Sequence, residues 1–162
     1  MAMIPSRFER IQWNTFEENA CSPAVDEAAR GLRLAAPTRV SAGPDAVLPV
    51  AGVYQVGARF LNRFRSMRNE ITVVAVDAAT HVPRSANLLE EGFDAEPSGF
   101  DPADPDLDDI VITGHFNLDL YRWMDGLSRA PGRYHVFATV GDVVSNVVTI
   151  EIEIEIDTEA AS

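Results

Sequence analysis

Between Val148 and Ile156 the chain reads VTIEIEIEI, apolar and polar residues alternating without a break. A period of two is the repeat of a β-strand, whose side chains point to opposite faces in turn; a helix repeats at 3.6. Val148, Ile150, Ile152, Ile154 and Ile156 therefore share one face, and Thr149, Glu151, Glu153 and Glu155 share the other. Such a strand must bury its apolar face against a neighbour. The neighbour stands just upstream. After the turn signal Pro131-Gly132, Tyr134, Val136, Ala138 and Val140 alternate with Arg133, His135, Phe137 and Thr139, and Gly141-Asp142 supplies the reversal. The spacing predicts a β-hairpin, and the rest of the chain must provide the sheet that covers it.

The stretch from Pro37 onward meets that demand. Thr38 to Ala42 is a short first strand closed by Gly43-Pro44. Val50 to Leu61 is a second, with Tyr54, Val56, Ala58 and Phe60 inward and Gln55, Gly57 and Arg59 outward. A turn over 62–69 carries Arg63, Arg65 and Arg68. Ile71 to Val76 is a β-branched run of the kind found in a central strand, and Val82 to Leu89 is a weaker candidate for an edge. Residues 90–109 hold three prolines, two glycines and nine acids, and read as a long loop. Ile110 to Leu120 then alternates cleanly, with Ile112, Gly114, Phe116 and Leu118 on one face and Val111, Thr113, His115 and Asn117 on the other. Tyr121 to Ala130 is a connection with room for one helical turn around Trp123 and Met124. About seven strands without a βαβ rhythm point to an all-β, two-sheet domain over residues 35–156, with a polar tail over 157–162.

Residues 1–34 differ in character. Phe8, Ile11, Trp13 and Phe16 are spaced along a mixed aromatic and charged segment, and Ser22-Pro23 with Asp26 and Glu27 opens a short helix at about 24–30. The segment is an arm. Its aromatics either pack on their own domain or dock on another chain, and both readings stand.

The sequence Gly132-Arg133-Tyr134-His135-Val136 resembles the entrance to strand F of immunoglobulin-like domains, where a tyrosine two residues before a core position forms a corner. The following GDVVSNVVTIEI is similar to the F–G hairpin of bacterial immunoglobulin-like and fibronectin type III-like modules. The resemblance implies an immunoglobulin-like antiparallel β-sandwich of about seven strands. A fold of this kind hosts many functions and carries none by itself.

Composition narrows the partners. The net charge is −12, and all 13 basic residues are arginine. Clustered cationic side chains are what bind phosphate backbones and anionic lipids, so nucleic acid and membrane surfaces are excluded as expected partners. One cysteine, Cys21, cannot form an internal disulfide, and the first twenty residues hold no apolar run of signal-peptide length; a cytoplasmic protein is expected. Neither a nucleophile elbow, a phosphate loop, a CxxC nor an HExxH motif occurs, so neither enzyme activity nor a cofactor is expected.

Three sets of residues remain as candidate sites. Asp101, Asp104, Asp106, Asp108 and Asp109 offer oxygen ligands of the type Ca²⁺ takes, although their spacing departs from an EF-hand. His81, His115 and His135 lack the tight spacing of a metal site, and His115, His135 and Asp119 form a third, enzymatic option that requires the three to converge. The arm residues Phe8, Ile11, Trp13 and Phe16, together with Phe137, Ile150, Ile152 and Ile154 of the last hairpin, form an interaction surface open to a protein partner or a second copy. The expectation is a non-catalytic protein–protein interaction module, a small accessory or assembly subunit. A Ca²⁺- or small-ligand-binding sandwich using residues 90–109 is the alternative.

Overall fold

The computed structural model describes Phe8 and residues 13–24, 30–57, 70–88 and 110–154 of the chain. Within them lie nine strands: β1 (Gly31–Ala35), β2 (Arg39–Ser41), β3 (Pro49–Gly57), β4 (Thr72–Asp77), β5 (Pro83–Asn87), β6 (Val111–Asp119), β7 (Gly132–Val140), β8 (Val143–Val144) and β9 (Val148–Glu153). A single helical turn, α1 (Leu120–Trp123), follows β6. The strands form two sheets, one ordered β1-β3-β6 and the other β2-β9-β7-β4-β5 with β8 paired to β7. All pairings are antiparallel except β2 with β9.

The alternation read from the sequence places the core correctly. Val136, Ala138, Val140, Ile150 and Ile152 of one sheet meet Leu32, Leu34, Val50, Phe116 and Leu118 of the other. Burial of side chains this size stabilises a domain by about 1.5–3 kcal/mol each. On the inner face of β3 and β6, glycine sits opposite an aromatic twice: Gly52 faces Phe116, and Gly114 faces Tyr54. A Cβ at Gly52 would stand 2.0 Å from the Phe116 ring, and one at Gly114 would stand 2.1 Å from Tyr54. Each ring lies across the strand opposite because the glycine there has no side chain.

Three expectations change. The strands number nine among the described residues, because β1 and β8 were not foreseen. The boundary drawn between residues 34 and 35 falls inside β1, whose five residues pair with β3 from Gly31↔Gln55 to Ala35↔Ala51. On β3, Val53 and Gln55 are buried as well as Val50 and Val56, so that strand is covered on both faces. The helix placed at about 24–30 falls largely, and the arginine turn and residues 90–109 entirely, outside the described residues.

The turn into β7 is closed by side chains. The Tyr134 hydroxyl accepts the Ser128 N–H at 2.8 Å, and the Tyr121 hydroxyl donates to the Ser128 carbonyl at 3.1 Å. Arg129 lies 4.2 Å above the Tyr121 ring. Burial pushes the Tyr121 phenol up to about 12, against the opposing pull of Arg129.

Candidate interaction face

The two sheets each turn one face inward and one outward, and the outward faces are finished differently. On the β1-β3-β6 sheet the arm lies over the outer face. Phe8 is fully buried with Cys21 and Ala51, and its ring stacks on Trp13 at 6.3 Å between centroids. Asn117 holds the arm in place. Its carbonyl accepts the N–H groups of Asn14 and Thr15, and its N–H donates to the Thr15 carbonyl. Its side-chain amide donates to Thr15 Oγ1 at 3.1 Å and to the Glu17 carbonyl at 2.7 Å, and accepts from Asn19 Nδ2 at 2.7 Å. Asn117 is 0 % exposed, and every polar atom of its side chain is used. Asn14 adds a second clamp, its Oδ1 accepting from Trp123 Nε1 at 2.6 Å and from the Asp119 N–H at 3.2 Å. Phe16 packs edge-on against Trp123.

The outer face of the five-strand path β2-β9-β7-β4-β5 has no such cover among the described residues. Cross-strand register places Val74 directly opposite Phe137, Val76 opposite His135, and Thr72 opposite Thr139. Because Val73 and Ala75 point into the core, Val74 and Val76 point out. Val74, Val76 and Phe137 remain only half-buried, shielded by one another across the strands. Val147, ahead of β9, is 59 % exposed.

Towards one end the same face becomes polar. His135 Nδ1 meets Thr149 Oγ1 at 2.9 Å, Arg133 Nη2 meets Glu151 Oε1 at 2.6 Å, and Arg39 Nε meets Glu153 Oε1 at 3.6 Å. The hydrogen bond and charge of Arg133 hold the Glu151 carboxyl below the ordinary carboxylate value. An open depression of about 410 Å³ lies here, bordered by Ala78, Arg133, Glu151 and Glu153. The face thus has an apolar centre and a paired-charge rim.

The predicted interaction residues are thus redistributed. Ile150 and Ile152 belong to the core, because β9 is flanked on both edges, by β7 and by β2, and turns its isoleucines inward. Ile154, just beyond the paired region, is 67 % exposed. Phe8 is buried against Ala51 and Cys21, Trp13 and Phe16 pack on the same domain, and Ile11 lies outside the described residues. Phe137 alone of the eight stands within the half-buried patch.

The chemical options fare differently. His115 stands on the outer face of one sheet, His135 on that of the other, and His81 in the β4–β5 turn at φ 62°. Asp119 caps α1, its Oδ1 accepting the Tyr121 and Leu48 N–H groups, each at 3.1 Å. The three residues of the enzymatic option do not converge. Among the described residues no three His, Cys, Asp or Glu side chains gather at metal-binding range. Asp101, Asp104, Asp106, Asp108 and Asp109 lie outside them. No helix of the described residues is long and apolar enough to cross a membrane.

Sequence reasoning missed Val74, Val76, Asn14 and above all Asn117. Asparagine in the middle of a strand is disfavoured, and that conflict was the available signal. The chain matches no protein-family model, no curated protein and no solved structure.

Proposed function

We propose that this chain is a non-catalytic protein–protein interaction module, built as an immunoglobulin-like sandwich, that docks through the outer face of the β2-β9-β7-β4-β5 sheet. The observation that carries it is the Val74–Phe137 pair, only half-buried at the middle of a sheet face. Two features support the immunoglobulin-like part. The first strands divide between the sheets, β1 pairing with β3 and β2 running parallel to β9. Tyr134 accepts a backbone N–H six residues upstream, as in a tyrosine corner.

The occupant is a protein surface with an apolar centre and a basic surround. Half-buried valines and a phenylalanine reward apolar contact, and a chain of net charge −12 favours basic neighbours at longer range. A photo-crosslinking residue at position 74 tests the reading in the producing cell, with position 33, on the other sheet, as control. One discrete adduct from position 74 and none from position 33 is expected. Phe137→Asp should then weaken binding of the identified protein by roughly thirtyfold, the cost of losing a central contact. The same adducts from both positions, or none, would overturn the proposal.

A further inference from the structure

The two sheets present four edges, and soluble proteins guard such edges because each carries unpaired N–H and C=O groups. Three are guarded. On β1 the Asn146 side chain stands in for a strand: its Oδ1 accepts the Leu34 N–H at 2.8 Å and its Nδ2 donates to the Leu34 carbonyl at 3.0 Å. β5 turns Pro83, Ser85 and Asn87 outward, since Asp77 and Leu88 bond across to Val82 and Ile71, and proline offers no N–H. β2 is three residues long.

The fourth edge, β6, is guarded over half its length. At Asn117 the arm closes it through Asn14 and Thr15, in the one isolated bridge of the described residues. That bridge also shows which groups look outward. Since Asn117 turns its N–H and C=O away from β3, so do His115, Thr113 and Val111, two residues apart along the same strand. The arm leaves the edge after Thr15 and crosses the sheet face towards Cys21 and Ala51. Among the described residues nothing pairs with the half from Val111 to His115. That half contains neither charge nor proline.

We infer that this half-edge pairs with its counterpart on a second copy of the chain, antiparallel, about a twofold axis through Thr113. In that register Thr113 stands opposite Thr113 and Val111 opposite His115. All three outward residues bring both a donor and an acceptor, which continues the β1-β3-β6 sheet across the axis. The second copy is the favoured occupant because the edge is complementary to itself and sets no like charges opposite each other. A chain of net charge −12 repels its own kind at long range, so the pairing belongs to an uncharged strip and strengthens with salt. A strip this short falls in the class of weak interfaces, below about 1,200 Å². This inference is independent of the docking face proposed above.

Sedimentation of the full chain over a wide concentration range, at low and high salt, tests it. A monomer–dimer equilibrium that tightens with salt is expected. Thr113→Asp, at an exposed site, places two carboxylates on the axis and should weaken the dimer by about tenfold or more, with an unchanged circular dichroism spectrum. Thr113→Val should keep the dimer, and so should Val74→Asp on the other sheet. Amide exchange at Val111, Thr113 and His115 should slow as concentration rises. A monomer at every concentration overturns the inference. So does protection of these amides that ignores concentration, which would mean the edge is filled from within the chain. Loss of the dimer with Val74→Asp but not with Thr113→Asp would also overturn it, by moving self-association to the other sheet.

Discussion

The outer faces of the two sheets show similar alternation and end up in opposite states. On β3 and β6 the outward positions include Ala51, Val53, Gln55 and Asn117; all four are buried, and the arm lies over Ala51 and Asn117. On β4 and β7 they are Val74, Val76, His135 and Phe137, and they stay partly open. The difference lies in what each face offers an approaching chain. Ala51 leaves space for Phe8, and Asn117 offers hydrogen-bonding groups on both its backbone and its side chain. A bulky apolar face offers contact area but no register, so it suits a partner that brings its own complementary surface. Burying a polar hub is favourable only when all its groups are satisfied, and Asn117 meets that condition through the arm.

The sharpest way to break the comparison is a charge under the arm. Ala51→Asp puts an unpaired carboxylate where Phe8 and Cys21 now pack, and should cost about 3–5 kcal/mol, read as a fall in the urea midpoint. Next comes Asn117→Ala, which removes the side-chain bonds to Thr15 Oγ1, the Glu17 carbonyl and Asn19 Nδ2. A loss of about 2–3 kcal/mol is expected, with faster amide exchange at Asn14 and Thr15 marking a detached arm. If either variant is as stable as the parent, the arm contributes nothing to the covered face.

The open face should respond weakly to the same treatment. Val74→Asp should shift stability by only about 1 kcal/mol while weakening binding of the protein captured at that face. A large loss of stability would mean that this face, too, is covered. The smallest effect concerns the rim. Because Arg133 holds the Glu151 carboxyl below its unfolded value of 4.5, the pair adds stability above that pH and loses it as pH falls through the folded value. Both side chains are well exposed, so the gain is slight. Carboxyl chemical shifts should show Glu151 titrating below 4.5, and Arg133→Gln should return it to the ordinary range.

Much of the fold was legible beforehand, for a local reason. In β6, β7 and β9 one residue decides the face of the next, so an unbroken alternation announced each strand and its buried side. The weak pattern from Val82 to Leu89 marked β5 as an edge. β1 was missed because GLRLA, five residues long and next to Pro37, is too short to separate from the arm before it. The outer face of β4 and β7 was legible only in part. Phe137 was placed outward by alternation, but Val74 and Val76 sat in a run apolar at nearly every position, where a strand buried on both sides and one buried on a single side look alike.

By itself the sequence determined seven of the nine described strands, their inward faces and the absence of a recognised catalytic motif, all properties carried by neighbouring residues. Which outer face is sealed, and which half of the β6 edge is left over, depended on contacts across about a hundred positions, such as Asn19 with Asn117. Alternation says that a residue points outward. Only the tertiary structure decides what it meets there, because the loop closure that brings the arm to β6 leaves no periodic trace in either segment.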